Sequence, residues 1–142
     1  EGLTNSLNHP MHSGFAAYFY ESLGGIKSTY DKPGYKEFTV NPISPSGITN
    51  TIVDIPTPYG TIYHNWESED STFTMQLNVP FNTKARVEIS EEEQKTLKIN
   101  GVSWVDFQSA NKTEIRNKSM VILGSGSYHI EYAKFIKKGM IE

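Results

Sequence analysis

The sequence contains no cysteine. That absence excludes a disulfide framework, a thiolate metal site and a cysteine nucleophile. Basic residues are few: 13 Lys and Arg stand against 16 Asp and Glu, a formal charge of −3. No basic stripe exists to release counterions from phosphates, so no nucleic-acid partner is expected. No run of about 18 apolar residues is present, and no membrane-spanning helix is expected. A charged n-region followed by an apolar core is also missing at the start of the chain. The chain begins at Glu1 and not at Met. It reads as a mature product or as a piece of a longer protein, and we favour the piece. What is present is 142 residues, 37% hydrophobic and 12% aromatic. That is the length and composition of about one folded, aromatic-rich domain.

Two periods divide the chain. After the break at Asn8-His9-Pro10-Met11, residues Phe15, Ala16, Phe19, Tyr20 and Leu23 recur at three- and four-residue spacing. This predicts one amphipathic helix over residues 14–23, with Ser13 as N-cap and Gly24-Gly25 as the stop. A single helix this rich in aromatic residues needs a partner surface. From Tyr35 onward the period is 2. Phe73, Met75, Leu77 and Val79 alternate with polar residues, as do Ala85, Val87 and Ile89, and Tyr128, Ile130 and Tyr132. Pro- and Gly-rich turns punctuate these runs. The pattern predicts a mostly β fold, an antiparallel β-sandwich of about eight strands preceded by one amphipathic helix. The strands are expected near 36–41, 48–55, 60–66, 72–79, 83–89, 96–99, 102–107 and 119–132, the last split at Gly124-Ser125-Gly126. Ser90 and Glu93 make a capping-box pair for one helical turn.

No complete active site is visible. Gly124-Ser125-Gly126 lacks the spacing of a nucleophile elbow, and no phosphate-cradling loop or dinucleotide fingerprint occurs. His9 and His12 are separated by Pro10, and no histidine pair has zinc spacing with a third ligand, so neither a metal nor another cofactor is expected. The favoured place for His64 and His129 is the rim or surface of the sheet. Asp54, Glu67, Asp106 and Glu131 carry no signal of a buried carboxylate pair, the requirement for glycoside hydrolysis. Tyr59, Tyr63, Trp66 and Trp104 are candidates for a sugar-stacking platform, although strand aromatics more often serve as core or cross-strand pairs.

Several pieces taken together carry a resemblance. Ser6-Leu7-Asn8-His9-Pro10-Met11 is followed by Gly14-Phe15 and by Phe19-Tyr20-Glu21-Ser22-Leu23-Gly24-Gly25-Ile26. Pro33-Gly34-Tyr35-Lys36, Asn41-Pro42, Thr57-Pro58-Tyr59-Gly60 and Gly124-Ser125-Gly126-Ser127-Tyr128 come after them. From about Ser6 to about Tyr132 the chain resembles the C-terminal part of bacterial α-L-rhamnosidases of glycoside hydrolase family 78. The resemblance implies the end of a catalytic α/α barrel joined to a C-terminal β-sandwich. Residues 1–26 would be the barrel's last helix and sugar-site loop, 27–34 a linker, and 35–142 the sandwich. It further implies an inverting hydrolase acting on terminal α-L-rhamnose, whose general acid and base both lie upstream of Glu1. The isolated chain would be inactive and mainly structural; a non-catalytic carbohydrate-binding module is the alternative.

His9 matches the histidine that lines the rhamnose subsite in that family. A neutral imidazole offers one donor and one acceptor to sugar hydroxyls, and Pro10 stiffens the loop. The alternative is that His9 caps a helix or fills a crevice. His12 departs from the aromatic residue many relatives carry there and receives no role. The implied partners are the barrel of the same parent chain and a rhamnose-containing carbohydrate, and the parent is expected in the periplasm or outside the cell. Without the barrel, Phe15, Phe19 and Leu23 would present an apolar face able to pair two copies of the chain.

Overall fold

The structure, a computed structural model, describes residues 16, 18–111 and 117–135. Ten strands occur among them: β1 (Ile26–Ser28), β2 (Glu37–Val40), β3 (Asn50–Thr57), β4 (Gly60–Ser68), β5 (Thr72–Val79), β6 (Lys84–Glu88), β7 (Lys98–Ile99), β8 (Val102–Ser103), β9 (Met120–Leu123) and β10 (Gly126–Ala133). They form two sheets, β1-β2-β6-β9 and β3-β4-β5-β10-β7-β8. The inward positions of both sheets share one core, in which Phe38, Val40, Ala85 and Val87 meet Ile62, Trp66, Met75, Leu77 and Ile130. This is the expected mostly β sandwich. Each fully buried Val, Leu, Ile or Phe contributes roughly 1.5–3 kcal/mol of apolar burial, so the alternating faces supply the driving force. The division at Gly124-Ser125-Gly126 falls where expected, between β9 and β10.

The details depart from the sequence reading in three places. β2 and β6 pair in parallel, the one parallel pairing among the described strands. A parallel pair needs a crossover, and here β3, β4 and β5 of the opposite sheet form it. Ile26–Ser28, which straddle the boundary placed between the helical remnant (1–26) and the linker (27–34), form β1 and pair with Phe38–Val40. The strand expected over 102–107 ends at Ser103, and Trp104–Asn111 is a helix. Ser103 caps it: its hydroxyl accepts from Asp106 N and donates to the Asp106 carboxylate. Trp104 and Phe107, three apart, stack with ring centroids 6.1 Å apart. The Ser103-x-x-Asp106 spacing is that of a helix start, which the reading of 102–107 as a strand passed over.

Other turn chemistry follows the residues. The helical turn Glu91–Gln94 carries the full Ser90–Glu93 capping box. Asn100 and Gly101 both have positive φ, 53° and 79°, as the two-residue turn joining β7 to β8 requires. Glu37 is nearly buried between Lys32 and Arg86. The Lys32 hydrogen bond, then that of Arg86 and the charge of both, hold its carboxyl below the usual range against the opposing effect of burial.

Phe19–Leu23 form a short wide-turn helical segment, with Gly24 N donating to Phe19 O at 2.8 Å. Gly25 follows with φ +67°, and a Cβ there would lie 2.2 Å from Pro42 N and 2.4 Å from Pro42 Cα. Both neighbours are backbone and have no rotamer by which to yield. Gly25→Ala is therefore expected to cost roughly 2–5 kcal/mol through the left-handed backbone and the overlap together. Urea unfolding measures it; a midpoint equal to that of the unmodified chain would contradict the geometry.

Candidate functional site

The join between the helical segment and the sandwich is the most closely built place in the structure. Four consecutive carbonyls at and beyond the helix end accept hydrogen bonds from the sandwich. Ile43 N donates to Ser22 O at 2.9 Å and Asn41 N to Gly25 O at 2.8 Å. Trp66 Nε1 donates to Leu23 O at 2.6 Å, and His64 Nδ1 lies 2.7 Å from Gly24 O. Helix ends leave carbonyls without intrahelical partners, and here the sheet supplies them. Leu23 is buried in the same join, while Tyr18, Phe19 and Tyr20 remain exposed.

His64 is thus not a rim histidine: it is fully buried. Its carbonyl partner requires the proton on Nδ1, and among the described residues Nε2 has no hydrogen-bond partner. Burial pushes its pKa down from 6.5 to about 4, opposed in part by the bond to Gly24. Its position was misjudged because alternation alone says that 62, 64 and 66 share a face, not which face is dry.

The sugar-platform residues are not brought together. Trp66 is fully buried and stacks on Phe73 at 5.6 Å, which in turn stacks on Tyr132 at 5.5 Å. Its ring offers no face to a ligand. Trp104 is also buried, with Nε1 donating to Gln94 Oε1 at 3.2 Å. Tyr63 lies three residues before Trp66 on the same strand and so points to the outer face of the sheet. Tyr59 sits in the β3–β4 turn, partly exposed, with Lys36 Nζ 5.1 Å from its ring centroid. His9, His12 and Phe15 lie outside the described residues.

On that outer face the register aligns Tyr63 with Asn78 and Asn78 with Ser127. The next row aligns Asn65, Gln76 and His129. Tyr63, Gln76, Asn78, Ser127 and His129 of these rows, with Asn100, Tyr128 and Leu77, line a shallow groove of about 330 Å³. Of these, sequence reasoning proposed only Tyr63 as a sugar contact. The polar alternation of β5 and β10 was visible, but adjacency across three strands is not a sequence property. Asp54, Glu67 and Asp106 are exposed and Glu131 is half-buried, so none of the four belongs to a buried carboxylate pair. Among the described residues, no group of three His, Asp or Glu is placed to hold a metal ion. No helix among them is long and apolar enough to cross a membrane.

Residues 25–103 match the family model of the bacterial α-L-rhamnosidase C-terminal domain. The chain belongs to that family. An α-L-rhamnosidase of Formosa agariphila is 53% identical over 134 residues, which are 94% of this chain and 14% of that protein. A second one from the same organism is 27% identical over 128 residues, 89% of this chain and 14% of the other. The chain thus spans about one seventh of the length of these relatives. Among solved structures, the α-L-rhamnosidase from Dictyoglumus thermophilum is similar in fold, with a TM-score of 0.68 at 23% identity over 92% of this chain and 14% of that one. The Streptomyces avermitilis α-L-rhamnosidase complexed with L-rhamnose also has a TM-score of 0.68, at 20% identity over 89% of this chain and 12% of that one.

The buried His64 makes the stability of this chain depend on pH. Its unfolded form takes up a proton near pH 6.5, its folded form only near pH 4. Between those values the unfolded state binds more protons, so stability is complete above about pH 6.5 and is lost as pH falls toward 4. A gap of that size corresponds to about 3 kcal/mol. Glu37 adds its own loss only at lower pH, below the ordinary carboxylate range. Urea unfolding at several pH values should show the His64 loss, and His64→Asn should flatten it while lowering stability at pH 7. An equal slope in both proteins would refute the assignment.

Proposed function

We propose that this chain is the closing part of an inverting α-L-rhamnosidase: the end of its catalytic domain together with the accessory β-sandwich that follows. The parent hydrolyses terminal α-L-rhamnose from glycans or glycosides. A general acid protonates the leaving oxygen and a general base activates water on the opposite face of the sugar. Both carboxylates belong to the parent's barrel, upstream of Glu1. His9 serves the rhamnose subsite of the assembled enzyme. The parent acts in the periplasm or outside the cell, where rhamnosylated polymers too large to cross a membrane are met.

The observation that supports this reading is the join at Ser22–Gly25. A helix end is tied to the sandwich through four carbonyls, while Tyr18, Phe19 and Tyr20 on the same segment stay exposed. Such a segment is built to be held on one side by the sandwich and covered on the other by further helices. The sandwich then acts as a clamp on the last turn of the barrel.

Incubated with 4-nitrophenyl α-L-rhamnoside, the 142-residue chain should release no 4-nitrophenol above the blank. The longer parent should release it and give β-L-rhamnose as the first sugar product by NMR. Turnover by the chain alone would overturn the assignment of the acid and base to the missing part, and α-L-rhamnose as first product would overturn inversion. The exposed aromatics carry a second expectation. Leu23 does not contribute to the free face, being buried against the sandwich, but Tyr18, Phe19 and Tyr20 do. Light scattering at high concentration should show a dimer of the isolated chain, and a monodisperse monomer would count against pairing through this face.

A further inference from the structure

We propose that the outer face of the six-stranded sheet carries a subsite for a neutral oligosaccharide, built from Tyr63, Gln76, Asn78, Asn100, Ser127 and His129. The groove is distinct from the join: His64 and Trp66 point from β4 into the core, Tyr63 and Asn65 away from it. Its volume of about 330 Å³ lies at the lower end of the range for small-molecule sites, about 300–1,000 Å³.

The chemistry selects the ligand. Among the described residues, no lysine, arginine, aspartate or glutamate lines the groove. An anionic ligand would find no counter-charge within it, and the nearest carboxylates, Asp54 beside Tyr63 and Glu131 3.8 Å from His129 Nε2, stand at its edges. What the groove offers is amides, a serine hydroxyl, an imidazole and two tyrosine side chains, Tyr63 and Tyr128, with Leu77 at its floor. Each amide is donor and acceptor in a single planar group, which matches the alternating roles of neighbouring sugar hydroxyls. Tyr63 adds an apolar ring surface with a polar tip, suited to the C–H face of a pyranose.

These groups are also held in place before any ligand arrives. Ser127 Oγ donates to Asn78 Oδ1 at 3.1 Å, and Asn78 Nδ2 reaches Thr61 O at 3.4 Å. Asn100 Oδ1 accepts from His129 N at 2.7 Å, and Asn100 Nδ2 reaches Ser127 O at 3.4 Å. Beneath them Leu77, Ile99 and Ile130 are buried in the core, so the platform is rigid. Pre-ordering of this kind lowers the entropic cost of binding. A protein partner fits less well: stable protein interfaces centre on a cluster of apolar and aromatic anchors, and here Tyr63, Tyr128 and, at the end of the Asn65 row, Ile52 are separated by polar side chains.

The groove's chemistry defines a neutral saccharide; the use of a rhamnosyl probe rests on the reading of the parent as a rhamnosidase. The test is a titration of the ¹⁵N-labelled 142-residue chain with rutinose (a rhamnosyl-glucose) and separately with cellotetraose. Each is taken to about 20 mM, enough to saturate a site with millimolar Kd. Saturable shifts with rutinose at Tyr63, Gln76, Asn78 and His129 are expected. Tyr63→Ala and Gln76→Ala should each weaken binding about tenfold while the amide signals of Val87 and Val121 stay unmoved. Saturable shifts at these positions with cellotetraose alone keep the saccharide subsite and count against a rhamnosyl ligand. No saturable shift there with either sugar overturns the proposal, as does binding equally tight in both variants.

Discussion

The structure depends on hydrogen bonds to four neighbouring carbonyls, Ser22 to Gly25. A buried carbonyl left without a donor costs about 1–3 kcal/mol, so four in a row cannot be left bare. The loop at Asn41–Ile43 supplies two backbone N–H groups, and β4 supplies the side chains of His64 and Trp66. Other features follow from this one. Gly25 must adopt a positive φ so that its carbonyl meets Asn41 while β1 starts at the next residue. His64 must be neutral, with its proton on Nδ1. Trp66 must lie inside, where its ring also anchors the stack with Phe73 and Tyr132.

The six-stranded sheet consequently has two unlike faces. The buried positions of its inner face are apolar apart from His64 and the Trp66 N–H, both directed at the join. Its outer face is ordered in polar rows that run across three strands, with amides and hydroxyls in two rows and the Glu67, Glu131 and Lys98 charges in the next. The period of 2 allows both patterns to be written into the same residues, one on even and one on odd positions of β4. One face then serves attachment to the rest of an enzyme, and the other remains available to the solvent and what it carries.

Much of this was legible from residue order. The alternation of Phe73 to Val79, the glycine break at 124–126, the Ser90–Glu93 box and the Asn100-Gly101 turn each became the element their chemistry predicts. The family resemblance, carried by the Asn-His-Pro-Met opening, the aromatic helix and the Gly-Gly-Ile stop, agrees with the matching family. Trp104 was read as part of a strand because the six residues Val102 to Phe107, four of them apolar, are too few to separate a period of 2 from one of 3.6. Ile26–Ser28 looked like a connection because three residues cannot announce a strand without their partner.

By itself, the sequence determined the fold class, the main strands, the turns and the family, because those follow from local period, turn chemistry and short motifs. Only the tertiary structure decided which face of β4 is dry, that Trp66 is a structural donor instead of a sugar platform, and that Tyr63 shares a groove with Gln76, Asn100 and His129. Those facts depend on strand order and register. A chain of alternating residues specifies two faces, and only the packing of one sheet on the other says which of them meets water.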